Sequence, residues 1–262
     1  MNRYPLFLAA FVVLGFVVTE ADAQGYAGEG ATSELVTLID KPTAGMLKRS
    51  QYRIGTNFYE HGGVLADIEV GLLVRFSFGI AYGGSGVIGS DKVTMNEWPG
   101  VKAKLRLIEE GTVPPAIAIG FDSQGKGPWV DSTSRYTFKS PGFYAVASKN
   151  YQLLGNFSIH GGINYSLERD DGDKDINFYV GAEKSLGEMF SFLFEYDFAI
   201  NDSDSRALGL GRGYMNLGLR LSAGEGFVLG FDYKDVLSNQ KSQPNGVRTL
   251  QIDFIGSLSL FT

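Results

Sequence analysis

From Arg49 to the C-terminus the chain alternates apolar with polar or small residues, and this two-residue period limits its possible folds more than any other feature. Successive side chains on a strand point to opposite faces. In 188–200, Phe190, Phe192, Phe194, Tyr196, Phe198 and Ile200 share one face, while Ser191, Glu195, Asp197 and Ala199 share the other, with Leu193 as the exception. A soluble sheet would have to cover so aromatic a face with a second layer. A barrel in lipid turns that face outward and keeps a polar interior.

The alternation predicts about twelve strands: 49–59, 64–72, 74–82, 101–109, 115–122, 142–150, 152–167, 175–185, 188–200, 212–222, 226–236 and 247–260. Ten result if one weak pair is merged. Links near 73, 109–114, 151, 186–187 and 223–226 are short, whereas 83–100, 123–141, 168–174, 201–211 and 237–246 are long. Apart from the brief first link at 60–63, length follows parity. Outer-membrane barrels sort their connections in this way, with short periplasmic turns, long outer loops and an even strand number. The expected fold is therefore an all-β, antiparallel, up-and-down transmembrane β-barrel. Along the last strand, Leu250, Ile252, Phe254, Gly256, Leu258 and Leu260 form one face, and Phe261 stands next to the terminal Thr262. This is similar to the C-terminal signal read by the barrel-assembly machinery.

The N-terminus is consistent with that compartment. Arg3, an apolar stretch at 5–19 and Ala21-Asp22-Ala23 form the pattern of a Sec signal peptide over 1–23. Residues 24–48 lack strand alternation and are expected to form a periplasmic segment, a plug of the barrel, or a short helix around 32–39. The barrel itself should span 49–262. Beyond 5–19 no apolar run is long enough for a helical span. A formal net charge of −6 argues against nucleic acid as a partner. With no Cys and two His, thiolate chemistry and Cys-ligated zinc are excluded, and no cofactor or metal is expected.

The alternation also assigns residues to the lumen. Arg53, Arg75, Lys102, Lys104, Arg106, Lys149, Arg220 and Lys234 should point inward, together with Asp67, Glu69, Glu183, Glu195, Asp197, Asp232 and Asp253. Near balance of sign predicts an ion-paired interior. Lys102, Lys104 and Arg106 also form a cationic ladder of the kind that favours anions in pores. Asp67 and Glu69 lie close enough to neutralise it. His160 should face the lumen between Ser158 and Gly162. Some twelve-stranded outer-membrane barrels are lipases with a Ser-His dyad, but those dyads face lipid, so no catalytic residue is assigned. Gly84-x-Gly86-x-x-Gly89 lacks the helix that a phosphate cradle needs. Asp171, Asp173 and Asp175 begin like a calcium loop, but Ile176 and Ala182 stand where Gly and Glu are required, which predicts an exposed acidic loop.

Three stretches carry a family resemblance. Leu38-Ile39-Asp40-Lys41-Pro42-Thr43-Ala44 is similar to the opening motif of the YjbH-like outer-membrane proteins of exopolysaccharide loci. The run from Lys104 to Gly111, continuing with Pro115 to Asp122, resembles a second motif of that family, and Phe143 to Lys149 a third. The resemblance covers about 38–149. It implies a β-barrel tied to surface polysaccharide, with polysaccharide or export-complex proteins as partners and no catalytic residues.

The expectation is an outer-membrane, non-enzymatic barrel whose partners are membrane lipid and, during biogenesis, the assembly machinery. It would act as a channel or scaffold for polysaccharide export or small-solute passage. The alternatives are a non-conducting structural or adhesive barrel presenting its outer loops, and an embedded lipid hydrolase.

Overall fold

The computed structural model describes residues 27–29, 33–243 and 245–258. The signal peptide expected over 1–23 lies outside them, as do Phe261 and Thr262. The strands are β1 (Gln51–Tyr59), β2 (Gly63–Leu73), β3 (Phe76–Ser85), β4 (Thr94–Met95), β5 (Gly100–Ile108), β6 (Ala116–Asp122), β7 (Lys126–Val130), β8 (Arg135–Phe138), β9 (Gly142–Gln152), β10 (Asn156–Tyr165), β11 (Asn177–Leu186), β12 (Phe190–Asp197), β13 (Tyr214–Gly224), β14 (Phe227–Lys234) and β15 (Val247–Ser257).

Every pairing is antiparallel, and β1 pairs with both β2 and β15, so the sheet closes on itself. β4 pairs only with the end of β3, and β7 with β8 forms a separate hairpin. The remaining twelve strands make a closed up-and-down barrel. Closure leaves no unpaired sheet edge, which is what a sheet in lipid requires. Both ends of the barrel wall lie on the side of the short turns, and the long links gather at the other end.

Register explains the inside-out distribution. Phe190 and Phe192 are 40% and 41% exposed, whereas Ser191 and Glu195 beside them are fully buried. The outward faces of neighbouring strands continue the band with Ile159, Ile163, Phe178, Val180, Leu219 and Phe231. An apolar belt around a polar interior suits hydrocarbon and would be unstable in water. Glycines inside strands make room for rings across the ladder. Gly162 sits opposite Tyr179, Gly120 opposite Tyr144 and Gly256 opposite Tyr52, and a Cβ at any of them would come within 2.6 Å of the facing ring or hydroxyl.

Three expectations are corrected here. Lys149 does not line the lumen: it stands opposite the outward Ile159, while its neighbour Ser148 takes the inward place opposite His160. Residues 33–48 form no helix. Thr37 bridges to Pro42, and the Leu38 amide donates to the Lys41 carbonyl at 2.9 Å, giving a tight hairpin-like turn. Arg75 does not line the lumen. The chain turns at Val74 and Arg75, after a bulge between Gly71 and Leu73, where the alternation suggested a strand already under way. The Arg75 side chain is 55% exposed at the short-turn rim and pairs with Glu109 at 3.2 Å.

Candidate functional site: an occupied lumen

A barrel of this strand number is too wide to be filled by its own side chains. Residues 33–48 enter from the short-turn side and occupy the space. Much of their backbone is satisfied by the barrel wall. Glu195 of β12 accepts the successive amides of Ile39, Asp40 and Lys41 on one oxygen, at 3.1, 2.9 and 2.8 Å. Its other oxygen accepts from Asn216 at 2.9 Å. Across the lumen, Lys104 donates to the carbonyls of Val36 and Gly45 at 2.8 and 3.0 Å. Arg106 donates to the Ala44 carbonyl and to Glu34, Arg220 to the Leu38 carbonyl, and Tyr179 to the Pro42 carbonyl. The Ala44 amide donates to Ser148 at 2.9 Å.

Two ion pairs complete the latch. Lys41 meets Asp197 at 2.7 Å, and Asp40 meets Lys234 at 2.7 Å. Burial alone would depress the Lys41 ammonium, but Asp197, with Glu195 and Asp40 close by, holds its pKa above the ordinary lysine value. The apolar contribution comes from Leu35, Leu38 and Ile39, which pack on Leu193 of β12 and Val228 of β14. Leu193, the exception to the alternation, thus faces an apolar surface inside the lumen. Gly181 of β11 leaves space for Leu38, whose Cδ1 would stand 2.4 Å from a Cβ there.

The residues assigned to the lumen, apart from Arg75 and Lys149, divide between this segment and the wall. Lys104, Arg106, Glu195, Asp197, Arg220 and Lys234 hold the segment. Arg53 instead bonds Asp67 and, at 2.9 Å, Asp253, with Glu69 at 3.8 Å, and Lys102 lies 3.8 Å from Asp67. Asp232 pairs with Arg220 at 2.5 Å. Lys149, on the outward face, reaches the short turn at Gly111 and Thr112 and pairs with Glu110 at 3.3 Å. The cationic ladder is therefore spent: Lys102 on carboxylates, Lys104 on carbonyls, and Arg106 on both.

His160 is buried between Ser148 and Ser158, at 2.8 Å from Nδ1 and 3.1 Å from Nε2. It lines, with Glu183, Glu34 and Arg106, a cavity of about 120 Å³ between the segment and the wall. Among the described residues the His160 ring nitrogens meet two serines and no carboxylate, and the ring faces away from lipid, which is not the arrangement of a lipid-facing triad.

The long links close the other end. Arg135 of the β7–β8 hairpin is fully buried between Asp171 and Asp202, at 2.8 and 2.5 Å, and Lys139 shares Asp171 at 2.7 Å. Tyr214 donates to Asp202 at 2.6 Å. Phe138 packs edge-on against Tyr214 and lies 4.2 Å beneath the Lys234 ammonium. The acidic loop expected to be exposed is in part buried, because Asp171 and Asp173 serve these cations and the amides of Ser203 and Asp204. Sequence reasoning did not find Arg135 or Lys139, since loop residues carry no strand period. Leu193, with Val146 and Val228 on the same inner surface, was the available sign that something apolar sits inside.

No family model matches the sequence, and no curated protein matches it. Among solved structures the chain is similar to the KdgM porin, with 8% identity and a TM-score of 0.48, covering 79% of this chain and 99% of that one. It is also similar to the NanC porin, with 10% identity and a TM-score of 0.45 over 79% and 99%. For the Acinetobacter baumannii outer membrane protein Omp33 the values are 8% and 0.44 over 79% and 97%. The stretch that resembles the YjbH-like opening motif, Leu38 to Ala44, is the turn held in the lumen.

Proposed function

We propose that this protein is an outer-membrane channel for small solutes whose path is closed by residues 33–48 from one side and by the β7–β8 hairpin from the other. The observation that carries this reading is the chemistry of the latch. The segment is held mainly by carbonyls, amides and ion pairs on charged wall residues, contacts that water can replace. Its departure would leave a charged, hydratable lumen. An element meant only to fill the barrel would be joined to an apolar wall. A polymer would need both occluding elements wholly out of the lumen at once, whereas a small solute passes if each gives way in part or in turn, so small solutes are the proposed cargo.

Planar-bilayer recording tests this. Wild-type protein should conduct rarely, and a variant lacking 33–47 combined with Arg135→Ala should conduct steadily. If that double variant, folded and inserted, never conducts, the channel reading fails and a non-conducting barrel presenting its loops takes its place.

A further inference from the structure

The chain has two tryptophans, Trp98 and Trp129, and they belong to different loops. Trp98 lies in the link between β4 and β5, and Trp129 in β7. Both line one cleft of about 280 Å³ at the loop-side rim, together with Glu97, Ser123, Tyr136, Glu168, Arg169 and Asp170. Trp98 is 73% exposed and Trp129 38% exposed. The Trp98 indole, left so open, is not held there by packing with its own chain.

The frame around the two rings is rigid. Glu168 accepts the amides of Tyr136 and Ser140 at 2.9 and 3.0 Å, which ties the hairpin to the 166–176 link. Trp129 stands edge-on against Tyr136, with centroids 5.0 Å apart. Arg169 is aimed by a 2.7 Å bond to the Tyr165 hydroxyl, with its guanidinium over that ring. Glu97 and Asp170, by contrast, present exposed carboxylates that make no ion pair with another described residue.

We propose that this cleft binds a single sugar ring, neutral or amino. Indole faces are apolar and electron-rich and suit the C–H face of a pyranose, and carboxylates accept from its hydroxyls while Arg169 donates. The volume falls just below the roughly 300–1,000 Å³ of small-molecule pockets, which is room for one ring and not for a chain. Glu97, Glu168 and Asp170 face a single guanidinium, so the cleft repels uronates and phosphates. The site does not depend on whether the barrel conducts.

Because both tryptophans are in the cleft, tryptophan fluorescence of the protein in detergent, excited to the red of tyrosine absorption, reports on it alone. Methyl glucoside, glucosamine and glucuronate serve as probes. Methyl glucoside or glucosamine should shift the emission saturably, and glucuronate should bind at least about tenfold more weakly. Trp98→Phe and Asp170→Asn, both at exposed positions, should each weaken binding by about tenfold. Glycolipid-containing vesicles separate two sources of the ring. Loss of the methyl glucoside response there assigns the ring to a lipid headgroup, and a retained response assigns it to free saccharide. The proposal is overturned if no probe shifts the emission while brominated acyl chains quench both indoles, which would make them membrane anchors. It is also overturned if glucuronate binds most tightly.

Discussion

Replacing Glu195 by Gln isolates the grip of the wall on the lumenal segment. The substitution keeps volume and one acceptor oxygen but removes the charge that three consecutive amides share. The new amide nitrogen would also oppose the Asn216 amide, which cannot turn over without losing its bond from the Asp235 amide at 2.9 Å. A hydrogen bond to a charged acceptor is worth about 1.5–3 kcal/mol and a neutral one about 1, so three such bonds lose about 3 kcal/mol together. That is roughly a hundredfold rise in the population with the segment released. Hydrogen exchange followed by mass spectrometry reads it directly. Amides of 39–41 should exchange up to about a hundredfold faster, while those of β11 and β12 keep their protection. If 39–41 stay as protected as in the wild type, Glu195 does not hold the segment and the latch is wrongly located.

Leu193→Ala should cost about 2–5 kcal/mol, because the cavity opens against Leu38 and Ile39, and the loss should appear as faster exchange in 35–41. Arg135→Ala leaves Asp171 and Asp202 buried without their guanidinium, a cost of about 3–5 kcal/mol; proteolytic nicking within 123–141 should accelerate with the barrel intact. Burial pushes the Glu168 carboxyl above the usual glutamate range, despite the donors at Ser140 and Tyr136. A raised carboxylate stabilises the folded face below its unfolded pKa and loses that contribution as pH rises to the folded value. Resistance of the 126–138 hairpin to protease should therefore fall over the interval just above pH 4–5, and Glu168→Gln should flatten the profile.

The barrel was legible in the sequence because strand alternation is local. A period of two places Phe192 outside and Ser191 inside whatever the neighbours are, and loop parity orders the strands without reference to any distant contact. The same rule placed thirteen of the charged side chains in the lumen and failed at Arg75, where a two-residue turn interrupts the period, and at Lys149, which shares the outward face with Ile159. Alternation says nothing about a segment that has none. The turn at Leu38–Ala44 takes its shape from Glu195, Lys104 and Tyr179, which are distant in sequence and meet only when the sheet closes. Arg135 likewise needs Asp171 and Asp202 from two other loops. What the sequence determined alone is a closed barrel with an apolar outside and a charged inside. What tertiary structure decided is that those charges are engaged, some with one another on the wall and the rest by the segment that occupies the lumen, because a cylinder this wide leaves space that its own side chains do not fill.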